Sequence, residues 1–284
     1  MWQTSYNNTA TLYLVPTPIG NLEDMTFRAI NVLKEVEVIF SEDTRVTSVL
    51  LNHFEIKKHL IALHDHNEDN VKDKVLEYLK EGKSVAIVTD RGTPIISDPG
   101  YKTVKYVTDN GYNVVALPGA NAFVPALISS GLEPAPFLFY GFLNSKESKR
   151  KQELETLKFS KYTIIFYEAP HRIEKTMSDI MEVMGDREVS LSREISKKFE
   201  SVYRGNISML LPTLKDIKGE FVVVVSPYVE VSDNTELSIV DNVNLYIENG
   251  MQVMDAIKLV AKERKIAKSI VYSEYHRRNL WNWS

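Results

Sequence analysis

Residues Val71–Pro94 read VKDKVLEYLKEGKSVAIVTDRGTP and hold a helix, its stop and a strand in immediate succession. Val71, Val75, Leu76 and Leu79 recur at helical spacing, and Gly82 stands where a left-handed residue ends such a helix. Val85 to Thr89 is then a short apolar run bounded by turn formers, which reads as a strand. The loop beyond it, Asp90-Arg91-Gly92-Thr93-Pro94, carries the residues that let a backbone turn sharply and hold its shape.

The same alternation extends outward. Further strands are expected at Thr11 to Val15, Val36 to Phe40, Leu60 to Leu63 and Val114 to Leu117, with amphipathic stretches between them. Strand, helix, strand in repetition builds an open, largely parallel sheet. Gly131-Leu132-Glu133-Pro134-Ala135-Pro136 disfavours helix, because proline lacks an amide donor and restricts the residue before it, so the passage to a second unit is expected near there. In that unit Phe137 to Phe142, Thr163 to Tyr167, Val189 to Leu191, Ser201 to Tyr203 and Phe221 to Val225 read as strands, with helices over Lys146 to Leu157 and Ile173 to Met184. Beyond Pro227 the chain turns polar, Val229 to Leu237, and then shows short helical patterns ending at Arg278. The expected fold class is α/β, with an N-terminal α/β domain over 1–118, a second over 119–228 and a small helical module over 229–284.

With 284 residues, 44% hydrophobic and 25% charged, the chain has the makings of ordinary globular domains rather than of a disordered or fibrous protein. It contains no cysteine, which excludes disulfides, thiolate metal sites and cysteine nucleophiles and fits a reducing cytoplasm. Met1 to Ala10 is polar and lacks the basic and apolar segments of an export signal, and apolar runs such as Val222 to Val225 are too short to cross a bilayer, so no membrane association is expected. A net charge of −4 restricts any nucleic-acid contact to a local patch.

In an open parallel sheet, ligands bind beyond the carboxyl ends of the strands. Four loops at that edge are unusual: Pro16-Thr17-Pro18-Ile19-Gly20-Asn21, Glu42-Asp43-Thr44-Arg45, Asp90-Arg91-Gly92-Thr93-Pro94 and Pro118-Gly119-Ala120-Asn121. Any one of them could be plain turn punctuation; four converging on one edge point to a binding site. Neither Gly-x-Gly-x-x-Gly nor Gly-x-x-x-x-Gly-Lys occurs, which removes support for an ordinary dinucleotide-binding or triphosphatase reading.

Taken together, Leu14-Val15-Pro16-Thr17-Pro18-Ile19-Gly20-Asn21-Leu22, Ser41-Glu42-Asp43-Thr44-Arg45, Gly92-Thr93-Pro94-Ile95-Ile96-Ser97-Asp98-Pro99-Gly100 and Phe166-Tyr167-Glu168-Ala169-Pro170-His171-Arg172 resemble the bacterial 16S rRNA cytidine 2'-O-methyltransferases of the tetrapyrrole methylase superfamily. The resemblance runs from about Leu12 to Val225. It implies two α/β domains with S-adenosyl-L-methionine in the cleft between them, a homodimer, and as target the 2'-hydroxyl of a decoding-centre cytidine, conventionally position 1402, of 16S rRNA in the small ribosomal subunit. Carried over by motif, Pro16 bounds the cofactor cleft; Gly92, Thr93, Pro94, Ile95, Ile96 and Ser97 line its methionine and sulfonium side; and Asn121, Ala122, Tyr167, Glu168, Glu220 and Phe221 complete it. Arg91 departs from the small residue usual there, and because a guanidinium facing a sulfonium would be repelled, Arg91 is expected to point to RNA phosphate or to a neighbouring carboxylate.

Methyl transfer from a sulfonium needs the ribose oxygen held in line with the methyl carbon, and a base helps because a ribose hydroxyl is weakly acidic. Asp43 or Glu42 is the favoured proton acceptor, with Arg45 placing phosphate; the competing reading is a helix N-terminus capped by Asp43 or Thr44. Glu168 and His171 are further catalytic candidates with Arg172 facing RNA, against a proline-started helix with a local salt bridge. His64-Asp65-His66-Asn67-Glu68 invites a metal reading, but no further histidine cluster completes a site; a polar loop is the expectation, with His64 turned to RNA and no metal. In the tail, Lys265, Lys268, Arg277 and Arg278 accompany Tyr272, Tyr275, Trp281 and Trp283, a basic and aromatic set suited to phosphates and unpaired bases or else a solvated capping module. Val253, Ala256, Ile257 and Val260, then Ala267, Ile270 and Val271, suggest two helices around a short turn. A small-molecule tetrapyrrole methylase and a non-catalytic RNA-binding assembly protein are the alternative functions.

Overall fold

The computed structural model describes residues 3–5, 8–229, 237–248 and 251–279, the side chains of 278 and 279 excepted. The chain divides into two compact units, Met1–Tyr228 and Val229–Ser284.

Two sheets make up the first unit. Strands β1 (Thr11–Leu14), β2 (Val38–Ser41), β3 (His59–Ala62), β4 (Val85–Val88) and β5 (Asn113–Ala116) lie in the order β3-β2-β4-β1-β5. All neighbours in this sheet are parallel. The helices α1 (Phe27–Glu35), α2 (Thr44–His53), α3 (Glu68–Lys80) and α4 (Tyr101–Asp109) connect them. β4 shows why its sequence is an unbroken apolar run: Val85 and Ile87 enter a core on one face, where Val71, Val75 and Leu79 of α3 meet them. Ala86 and Val88 enter the core on the other face, beneath Ala29, Val32 and Leu33 of α1. A strand buried on both sides needs no polar alternation.

The second sheet takes α5 (Phe123–Ser129), β6 (Phe137–Phe142), α6 (Glu147–Leu157), β7 (Thr163–Glu168), α7 (Ile173–Met184), β8 (Glu188–Arg193), β9 (Ser201–Asn206), α8 (Ile207–Leu210) and β10 (Phe221–Val225). Its order is β6-β7-β10-β8-β9, with β6 parallel to β7 and the other pairs antiparallel. β10 repeats the logic of β4. Phe221, Val223 and Val225 pack on the α7 side, while Val222 and Val224 pack with Ala126 and Leu127 of α5.

The longest extension beyond expectation is at β9, which runs to Asn206 rather than Tyr203, and β2 begins at Val38 rather than Val36. Val36 instead ends α1, its amide bonded to the Val32 carbonyl, and its side chain is buried, so in sequence it looks like a strand residue. The second unit comprises α9 (Ile239–Glu248), α10 (Val253–Glu263) and α11 (Lys268–Asn279). Its core is Val240, Val243, Ala256, Ile257, Val260, Ala261, Val271 and Tyr275. No helix among the described residues is long and apolar enough to cross a membrane.

Candidate active site

The loops leaving β1, β4 and β5 are tied to one another before any ligand arrives. Thr17 and Gly92 exchange both backbone hydrogen bonds at 2.9 Å, and the Thr17 hydroxyl donates to the Thr89 carbonyl at 3.0 Å. Thr93 donates to the Ala120 carbonyl at 3.1 Å, joining the loops after β4 and β5. Gly119 is required where the first and last of these loops meet, since a Cβ there would lie 2.7 Å from Cβ of Pro16. Gly92 has φ +82°. Downstream, Ile95 and Ser97 also hold positive φ, +77° and +67°, at a cost on the order of 1–3 kcal/mol each that the surrounding ties sustain.

Above this rim lies a cavity of about 630 Å³. The first sheet contributes Gly92, Thr93, Ile96 and Ser97 to its wall, and the second contributes Phe123, Tyr167, Ile195 and Phe221. Asn121 and Ala122 lie between; the Asn121 carbonyl oxygen of the side chain accepts from the Val124 amide at 3.0 Å and so starts α5. The Tyr167 hydroxyl accepts from the Ala122 and Phe123 amides, and burial pushes it up to about 12. Glu168 and Glu220 also reach the wall, whereas Pro16, Pro94 and Ile95 do not line it.

Three carboxylates enter the cavity from the first sheet: Glu42, Asp90 and Asp98. Glu42 accepts from the Thr89 hydroxyl at 2.8 Å. Asp90 accepts from the Asp43 amide at 3.1 Å, and burial raises its proton affinity. Asp98 is pushed up to about 6, first by burial and then by the charges of Glu42, Asp90 and Asp65, with the Thr89 hydroxyl that it shares with Glu42 acting in the opposite direction. Sequence reasoning passed over Asp98, although it lies inside the Gly92–Gly100 string. The available signal was its place in that string, immediately before the Pro99-Gly100 turn.

Of Asp43 and Glu42, the two favoured for proton acceptance, Glu42 lines the cavity and Asp43 is placed differently. It is the N-cap of α2, accepts from the Arg45 amide at 2.8 Å and is ion-paired with the Arg45 guanidinium. These hydrogen bonds hold its carboxyl at about 2, the grip of a poor base, and it does not line the cavity. Arg45 is itself 89% exposed. Glu168 reaches the wall with a side chain already engaged: it accepts from the Ala169 amide at 2.7 Å and the Thr176 hydroxyl at 2.6 Å and pairs with Arg172. Arg172 also donates to the Leu143 carbonyl at 2.8 Å, so this group organises the start of α7. His171 is exposed outside the cavity. His64 is exposed beside His66, its amide bonded to Asn67 at 2.9 Å. Among the described residues, no three His, Cys, Asp or Glu side chains form a metal-holding group.

At the mouth, Arg91 spans from the first sheet to the second and donates to Glu220 at 2.7 Å, so its charge meets a carboxylate. Lys197 holds the other oxygen of Glu220 at 2.7 Å and Glu194 at 2.9 Å. Lys197 was not assigned to the cleft from sequence.

In the helical unit Lys265, Lys268 and Arg277 are exposed, with Arg277 donating to Glu274 at 3.2 Å. Tyr272 is exposed against the His276 ring, but Tyr275 is a core residue, which corrects its reading as a stacking surface. The Arg278 side chain, Trp281 and Trp283 lie outside the described residues.

Comparison with known proteins agrees with this architecture. Residues 11–211 match the family described as Tetrapyrrole (Corrin/Porphyrin) Methylases. The chain is 49% identical over 273 residues to the Ribosomal RNA small subunit methyltransferase I of Bacillus subtilis, covering 93% of this chain and 94% of that one. To the protein of the same name from Halalkalibacterium halodurans it is 44% identical, covering 97% and 99%. Among solved structures, cobalt precorrin-4 methyltransferase aligns with a TM-score of 0.55 at 16% identity over 76% of this chain and 94% of that one. Uroporphyrin-III C-methyltransferase from Thermus thermophilus, solved in complex with S-adenosyl homocysteine, aligns with a TM-score of 0.53 at 16% identity over 76% and 97%. The chain therefore belongs to the tetrapyrrole (corrin/porphyrin) methylase family, among the relatives named for methylating small-subunit ribosomal RNA.

Proposed function

We propose that this chain transfers a methyl group from S-adenosylmethionine to the 2'-oxygen of a decoding-centre cytidine in 16S rRNA of the small ribosomal subunit. The family and the names of its relatives support a small-subunit rRNA methyltransferase, and the cavity supports the donor. Its volume of about 630 Å³ falls within the range of cofactor sites. Phe123, Ile195 and Phe221 offer a purine an apolar wall, and Glu42, Asp90 and Asp98 complement a ligand bearing a sulfonium and an ammonium. When bound there, the cofactor supplies an electrophilic methyl group.

The observation that carries the oxygen-directed reading is Asp98, a carboxylate with proton affinity near neutrality in the same cavity. Above about pH 6 it is unprotonated and can accept the hydroxyl proton as the ribose oxygen is methylated. Asp43 and Glu168 are held in ion pairs and serve as helix anchors. The cross-tied loops keep the rim in place, so reacting atoms are oriented rather than searched for.

The test uses labelled S-adenosylmethionine and small ribosomal subunits lacking the modification. Label should enter 16S rRNA and make one phosphodiester linkage resistant to alkali, the mark of a blocked 2'-oxygen, at a cytidine. Label on a base, with every linkage still cleaved by alkali, would overturn the reading.

A further inference from the structure

A second hollow, of about 290 Å³, adjoins the cavity on the outer side of α2. It shares Val46, Thr89, Asp90 and Arg91 with the cavity wall and continues over Pro18, Leu22, Val49 and His53. Its floor is apolar and open to solvent: Leu22 is 43% exposed, Val46 43% and Val49 73%, unusual for three aliphatic side chains gathered in one hollow. Val46, Val49 and His53 fall at three- and four-residue intervals on α2 and so share a face. The exposed His53 ring stands edge-on to Phe54, with 4.9 Å between centroids.

We infer that this groove is a subsite for the nucleotide next to the one being methylated, its base lying on the Leu22, Val49 and His53 shelf. The inference rests on the RNA reading above. A polymer cannot enter the cavity whole: the ribose carrying the reacting oxygen is presented at the cavity, and the neighbouring nucleotide leaves across a shared wall. Only a ring and its sugar fit 290 Å³, at the lower end of ligand sites. An apolar shelf suits the face of an unstacked base, and the exposed guanidinium-bearing Arg91 lines the same hollow where the chain's phosphates would pass. Arg91 is paired with Glu220, which limits its attraction for phosphate and leaves the shelf as the main contact.

Val49→Glu and His53→Ala test this, because both side chains are exposed and neither lines the cofactor cavity. For each variant, cofactor affinity by calorimetry, KM and kcat for unmodified small subunits, and equilibrium binding of naked 16S rRNA are measured. The expected result is a KM raised about tenfold by Val49→Glu and less by His53→Ala, matching losses in rRNA binding, and cofactor affinity and kcat within twofold of the parent. Unchanged KM and rRNA binding in both variants, with a parent that methylates normally, would overturn the subsite alone. An effect on assembled subunits with none on naked rRNA would place a protein in the groove and overturn it too. A parent that transfers no label to RNA would instead sink the RNA reading, and the subsite with it.

Discussion

β2 and β4 are neighbours in the first sheet, and the loops leaving them present acids at the same rim, yet those acids end in opposite states. After β2, Asp43 caps a helix beside an exposed arginine and titrates at about 2. After β4, Asp98 is turned inward by a strained backbone, away from cationic partners and beside two other carboxylates, and titrates at about 6. Neighbouring strands and a shared edge do not set proton affinity; burial and the sign of the nearest charge do. The loop with the more conspicuous acidic motif spends Asp43 on a helix cap and sends only Glu42 to the cavity, and the loop that reads as glycine and proline punctuation sends the proposed base, Asp98.

The comparison breaks most completely at Gly92. Gly92→Val puts a β-branched side chain at φ +82°, with a Cβ 3.3 Å from Ile19, and disturbs the paired hydrogen bonds with Thr17. Cofactor binding should fall at least a hundredfold in calorimetry while circular dichroism remains that of the parent; undiminished binding would mean the loop after β4 does not grip the donor. Next in size is Asp98→Asn, expected to lower kcat by about 10²–10⁴ if the carboxylate accepts the proton. Asp43→Asn should lower it far less, and equal losses would erase the distinction between the two loops.

Much of the fold was legible because its strongest signals are local. β6 and β10 occur at the expected residues, and α3 follows from Val71, Val75, Leu76 and Leu79. The drift at β2 came from Val36, which is buried at a helix end and is indistinguishable by hydrophobicity from a strand residue. For the site, motif strings led to the walls, including Gly92, Asn121, Tyr167 and Phe221. Proton affinity was not legible, because it depends on which acid the folded loop buries and on partners as distant in sequence as Glu42 is from Asp98. Nor was the Arg91 to Glu220 bridge, whose two ends lie in different sheets.

A smaller effect sharpens the same contrast through pH. With Asp98 as the proposed proton acceptor, kcat/KM should rise with pH through about 6 and level off above it, reporting the free enzyme. The sign is fixed: protonation below that value removes the acceptor. In kcat the rising limb should lie lower, since a bound sulfonium favours the carboxylate. Thr89→Val removes a hydroxyl that donates to Glu42 and also favours the ionised form of Asp98, so the limb in kcat/KM should move upward by less than about one unit, in keeping with at most a single neutral hydrogen bond. A downward shift would mean that Thr89 does not serve Asp98.

The smallest effect is expected where the sequence drew most attention. Asp43→Asn retains a good N-cap and removes only the exposed pairing with Arg45, so the melting temperature should change by no more than about 4 °C. Its own titration lies near 2, so the pH limb near 6 should stay where it is. That second readout separates the roles of the two loops, because a cap can be weakened without touching the group whose ionisation the rate follows. If Asp43→Asn moved the limb as far as Thr89→Val does, Asp43 would have to be coupled to the reacting proton through its amide bond to Asp90, and the division between anchor and base would no longer hold.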